Sequence, residues 1–185
     1  MFYALVHYPR IDTQQINEFR RRYDPHVDLI GPHITFVFLV PESIGEALLI
    51  NHIDTVLSNW RPFPIHLKGL HKAWDHWLFL ILAAGNEDVI HLHRDLYTGI
   101  LAEYHRPDIE FIPHLGLGLF ARRDANYDIR NPREVSLDVE NYSRALREAQ
   151  ELDFDYHCVV DSLHLVKISD DISKLEWSKE FHLLS

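Results

Sequence analysis

Two of the 14 histidines stand in matching surroundings: Pro32-His33-Ile34-Thr35-Phe36 and Pro113-His114-Leu115-Gly116-Leu117. Each follows a proline and opens an apolar run. Imidazole is the side chain that titrates nearest neutral pH, so a pair of them can divide a reaction's two proton transfers, one ring accepting while the other donates. Strand alternation puts His33, Thr35 and Val37 on one face and Ile34, Phe36 and Phe38 on the other, core-facing one. In the second run Leu115, Leu117 and Leu119 form the apolar row, which leaves His114, Gly116 and Gly118 together on an open, nearly bare face. Two glycines on one face weaken a strand by roughly 0.5–1 kcal/mol each relative to alanine, a cost that makes sense where a ligand approaches the backbone.

Positioning two such runs requires a sheet. Residues 2–8 read as a strand closed by Pro9, and 12–23 as a helix with Asp12 or Thr13 as N-cap. Ile34–Val40 follows as a strand, then a helix from Pro41 to about Asn59 with apolar positions at three- and four-residue spacing. Phe63–Leu70 and His76–Ala83 read as a hairpin, Glu87–Tyr104 as a helix and Phe111–Phe120 as a strand. A polar loop spans Arg122–Arg133, and a helix spans about Asp138–Leu152. Two long strands, Phe154–Ile168 and Leu175–Leu184, end the chain. Hairpin-linked strands that do not alternate strictly with helices favour an α+β fold of antiparallel sheets with helices to one side. The repeated Pro-His strand, one per half, suggests two lobes related by duplication.

The chain's 185 residues, 46% hydrophobic, are enough to bury a core without a cross-link or structural metal. Its formal charge of −10 argues against collecting an extended polyanion such as duplex DNA, while a short or terminal nucleotide stays compatible with local cations. The single cysteine, Cys158, lies in an apolar stretch and reads as a buried, inert thiol in a reducing compartment. With no basic region before its short N-terminal apolar run and no long apolar segment, the sequence reads as soluble and cytoplasmic, without membrane insertion.

The pattern resembles the 2H phosphoesterase superfamily, also called 2′-5′ RNA ligase-like, whose members carry one His-x-Thr/Ser-x motif in each of two lobes. His33-Ile34-Thr35-Phe36 matches in full, whereas His114-Leu115-Gly116-Leu117 has glycine in place of the hydroxyl residue. Val160–Leu165 with Phe181-His182-Leu183 is similar to the family's closing hairpin. The resemblance covers almost the whole chain and implies a single bilobal domain, two antiparallel sheets around a central cleft with pseudo-twofold symmetry. It further implies cleavage or joining of phosphodiesters without metal or other cofactor, on a nucleotide or RNA terminus carrying a 2′,3′-cyclic or 2′-5′-linked phosphate. His33 and His114 would act as acid and base, the Thr35 hydroxyl would contact a non-bridging oxygen, and a backbone N–H or water at Gly116 would replace the missing hydroxyl.

Other residues belong to competing readings. Arg122 and Arg123 follow the second motif and could reach a phosphate; Tyr3, Trp74 and Trp77 could stack on a base or pack in the core. A metalloenzyme is suggested by His91-x-His93 and by His71 near His76, but helical positions i and i+2 point about 200° apart and cannot chelate one ion alone. A non-catalytic nucleotide sensor is the alternative that Gly116 makes possible, and a scaffold in which both Pro-His runs are only strand starts is the third.

Overall fold

The computed structural model describes residues 1–122 and 136–184. Among the described residues eight strands and four α-helices follow one another as β1 (Phe2–His7), α1 (Gln14–Tyr23), β2 (Ile34–Pro41), α2 (Glu46–Leu57), β3 (Phe63–Lys72), β4 (Trp77–Ala84), α3 (Asn86–Leu96), β5 (His114–Leu119), α4 (Val139–Leu152), β6 (Asp155–Val160), β7 (Ser162–Ile168) and β8 (Leu175–His182). Short 3₁₀ helices occupy Glu42–Ile44 and Gly99–Tyr104. The second takes the end of the single helix expected over Glu87–Tyr104, because α3 stops at Leu96 and the chain passes through extended Thr98 and positive-φ Gly99.

Local chemistry accounts for the elements. Ile16, Phe19, Arg20 and Tyr23 form the buried stripe of α1, whose first-turn Gln14 N–H donates to Asp12 Oδ1 at 3.0 Å. Leu49, Ile53 and Leu57 are the buried row of α2, and Val89, Leu92, His93 and Leu96 that of α3. Gly85, at φ 86°, starts α3 so close to β3 that a Cβ would lie 2.7 Å from Pro64 O, which excludes any larger residue. Asp138 caps α4 by accepting from Asn141 N–H. Among the described residues no helix is long and apolar enough to cross a membrane.

Every strand pairing is antiparallel, in the order β6-β3-β4-β5-β2-β1-β7-β8. The two sheets expected from the sequence are therefore one sheet. It divides into two four-stranded groups with the motif strands β5 and β2 innermost, joined through the single register pair Ile34↔Leu115. The strand expected over Phe154–Ile168 is in fact two strands, broken at Asp161. Its first half pairs with β3 at one end of the sheet and its second with β1 and β8 at the other. The β3–β4 hairpin and the closing β7–β8 hairpin form as expected. The main core joins the helix stripes to Leu5, Ile34, Phe36, Leu80, Leu115 and Leu165, so the helices cover one face of the sheet; the other carries the motif side chains and a smaller apolar cluster of Ala4, Val6, Ile30, Val166 and Ile168.

Candidate active site

The register at the β2–β5 junction decides how the histidines meet. Carried one residue to either side of Ile34↔Leu115, it sets His33 opposite Gly116 and Thr35 opposite His114. All four then lie on the face away from the helices, since Ile34 and Leu115 are fully buried in the core. The two imidazoles occupy opposite corners of this square, and antiparallel geometry separates such diagonal neighbours by about 7–8 Å. All four sequence-selected residues thus come together, and each is half-buried.

Both rings are anchored the same way. His33 Nδ1 lies 2.8 Å from Gly31 O and His114 Nδ1 2.5 Å from Ile112 O, in each case the carbonyl two residues upstream. A carbonyl only accepts, so Nδ1 carries the proton and Nε2 is the basic nitrogen of the neutral ring. Phe79 stacks on His114 with centroids 3.4 Å apart, and Tyr8 presents its ring to His33 at 6.4 Å and to His164 at 4.9 Å. Burial pushes both imidazoles down to about 4; the Arg20 guanidinium presses further on His33, and His33 and His71 on His114. Both are accordingly neutral at pH 7.

The loop that delivers His33 hangs on a buried ion pair. Arg20 donates from Nε to Asp24 Oδ2 at 2.8 Å and from a terminal nitrogen to Ile30 O at 2.8 Å, while Asp24 accepts from His26 N–H at 2.8 Å. Fixing Ile30 places Gly31, whose carbonyl orients His33.

Bulges alter both motif strands beyond the histidines. In β2 the register against β1 shifts after Thr35, which turns Val37 into the core and leaves Phe38, expected inside, 54% exposed. Phe38 N–H donates to Tyr97 Oη, and Phe36 O accepts from His93 Nδ1, so α3 and the residue that caps it satisfy backbone groups that β5 does not reach. In β5 an extra residue at Leu117 turns Gly118 to the helix side, where a Cβ would lie 2.7 Å from Tyr23 Cβ. The bare glycine face expected from alternation is therefore not present. Gly118 allows α1 to approach, and the indole of Trp77 lies over Gly116, 3.4 Å from where its Cβ would stand.

The remaining candidates separate. Tyr3 is a core residue donating to Glu46, whereas Trp74 is 55% exposed. Arg122 N–H donates to Ser136 O, and Arg123 and most of the expected 122–133 loop lie outside the described residues. His93 is buried, stacked on Phe111 and bonded to Phe36 O, so it shares no ion with His91. Burial raises the Cys158 thiol to about 11, in keeping with an inert side chain. Sequence reading missed Tyr8, Phe79 and His164. Strand alternation from Val6 to Tyr8 was the available signal for Tyr8, whereas His164 joins it through the Val6↔His164 pairing, which the fold sets.

Comparison with known proteins agrees with this architecture. The family model described as the 2′-5′ RNA ligase superfamily matches residues 8–172. A provisionally named phosphoesterase of Geobacillus thermodenitrificans is 29% identical over 121 residues, 64% of this chain and 69% of that one. A similarly named protein of Bacillus cereus strain B4264 is 25% identical over 168 residues, 88% and 86% of the two chains. The crystal structure of E. coli LigT complexed with 3′-AMP superposes with a TM-score of 0.59 at 16% identity, covering 100% of this chain and 97% of that one. TT0787 of Thermus thermophilus gives 0.53 at 14% identity, covering 100% and 96%, and at these identities the likeness is one of fold. With two His-motif strands innermost in one antiparallel sheet and a family match over most of its length, this chain belongs to the 2′-5′ RNA ligase superfamily of 2H phosphoesterases.

Proposed function

We propose that this protein cleaves a phosphodiester at a nucleotide or RNA terminus, a 2′,3′-cyclic phosphate or a 2′-5′ linkage, with His33 and His114 exchanging protons with the reacting oxygens. The observation that carries this reading is the diagonal placement of two imidazoles whose Nδ1 protons are both tied to backbone carbonyls. Diagonal neighbours about 7–8 Å apart at the backbone leave room for one tetrahedral phosphate between their side chains. LigT has been crystallised with 3′-AMP and with ATP, which supports a nucleotide as the ligand class here.

The chemistry requires one ring of each charge. A neutral Nε2 takes a proton from water as its oxygen bonds to phosphorus, and a protonated ring gives its proton to the departing ribose oxygen as the P–O bond breaks. Because burial holds both free rings neutral, the second proton enters with the anionic substrate, whose charge favours the imidazolium. Thr35, beside His33 and across from His114, is placed to donate its hydroxyl to a non-bridging oxygen. No equivalent group exists at Gly116, where an added Cβ would stand in contact with the Trp77 indole, so the two half-sites are chemically unequal.

That inequality favours one further reading, a nucleotide-binding protein with little turnover. Hydrolysis of nucleoside 2′,3′-cyclic monophosphates in the presence of EDTA separates the two. The enzymatic reading expects turnover that falls by about 10²–10⁴-fold in His33→Ala and in His114→Ala. Binding without turnover in the wild type would overturn it in favour of the second reading.

A further inference from the structure

At the far end of the sheet from β8, β3 and the edge strand β6 bring together residues 89 positions apart in the chain. His66 pairs with His157 and Lys68 with Asp155, and the alternation that buries Phe63, Ile65 and Leu67 turns these four outward. The two imidazoles stack face to face, centroids 3.9 Å apart and planes 16° apart. His66 Nε2 and His157 Nε2 both approach Asp155 Oδ1, and one donor atom from each of the three residues lies within 4.8 Å of the others. Hydrogen bonding uses only part of this arrangement. His66 Nε2 meets Oδ1 at 2.7 Å, but His157 Nε2 stops at 3.9 Å from the same oxygen, too far for a hydrogen bond.

We propose that His66, His157 and Asp155 form a Zn²⁺ site that ties the edge strand β6 to β3. Tetrahedral zinc with bonds of about 2.0–2.1 Å holds its ligand atoms about 3.3 Å apart. The two separations from Oδ1, 2.7 and 3.9 Å, straddle that value, and side-chain rotations that also splay the stacked rings, so that both in-plane lone pairs point at one ion, bring the three atoms together. The donor set, two imidazoles and a carboxylate, is one zinc accepts, and with His157 76% exposed the fourth position is open to water. Lys68 does not compete for the same atom: its ammonium contacts Oδ2, which leaves Oδ1 to the imidazoles and fixes the carboxylate's orientation from behind. The site is separated from the motif strand β5 by β4 and is independent of the proposed hydrolysis.

The test is equilibrium dialysis of tag-free protein against Zn²⁺, with Co²⁺ absorption reporting tetrahedral coordination. Wild type is expected to bind one equivalent at this site and to melt at a higher temperature when loaded. His157→Ala, at an exposed edge position that folding does not depend on, should weaken binding by at least about tenfold, as should His66→Ala. The double variant His33→Ala/His114→Ala should retain the equivalent, and His157→Ala should hydrolyse substrate as the wild type does. Failure of the wild type to bind Zn²⁺, equal binding by His157→Ala, or loss of the equivalent only in the His33/His114 double variant would each overturn the assignment.

Discussion

Anion binding at the histidine pair should be coupled to the uptake of one proton. Both imidazoles sit at about 4, so protonating one of them at pH 7 means crossing about three pH units, about 4 kcal/mol. A negative charge about 4 Å away in an effective dielectric of about 20 returns about 4 kcal/mol. The two magnitudes are equal, so one negative charge seated between the rings raises one of them to near 7 and a dianion's second charge carries it higher, while the positive charge this creates holds the other neutral. Sulfate is the cleanest probe because its own charge is constant over the range. Its affinity should weaken about tenfold per pH unit between pH 5 and 7, since each unit removes about nine-tenths of the protonated free protein. Calorimetry in buffers of different ionisation enthalpy should record one proton taken up per sulfate bound. His33→Gln and His114→Gln should both lower the affinity and reduce the proton count. Sulfate binding independent of pH from 5 to 7, or unchanged in both variants, would refute the reasoning.

Two further outcomes follow from the packing behind the site. Gly118→Ala forces a methyl to within 2.7 Å of Tyr23 Cβ and 3.0 Å of Phe120 and should destabilise by about 1–3 kcal/mol, whereas Gly116→Ala meets only the Trp77 ring edge at 3.4 Å and should stay within about 0.5 kcal/mol of wild type in urea titrations. Asp24→Ala strands the Arg20 guanidinium in the interior and should cost about 3–5 kcal/mol by the same measurement; Arg20→Met/Asp24→Leu should recover most of that stability yet lose the hydrogen bond to Ile30 O, and with it His33-dependent activity.

Much of the site was legible because strand alternation is a local property. The Pro-His repeats located both imidazoles, their alternation with Ile34 and Leu115 put them on the face away from the core, and the full match at Thr35 pointed to the family. Legibility ended two residues later in each motif. A bulge depends on which backbone groups the neighbouring strand offers, so neither the inversion at Val37 and Phe38 nor the turning of Gly118 toward Tyr23 is written in its own strand. The break at Asp161 was hidden for a similar reason: Phe154–Ile168 is continuous in strand propensity, and only the competing partners β3 and β1 divide it.

The sequence by itself determined most of the element types, the helix stripes, the two imidazoles and the hydroxyl missing at position 116, because each depends on residues a few positions apart. The tertiary structure alone decided that the two groups of strands are one sheet, that the rings are neutral, that Trp77 covers Gly116, and that His66 faces His157 and Asp155. Those outcomes come from register between distant segments and from exclusion of water around the rings, and neither exists until the chain has folded.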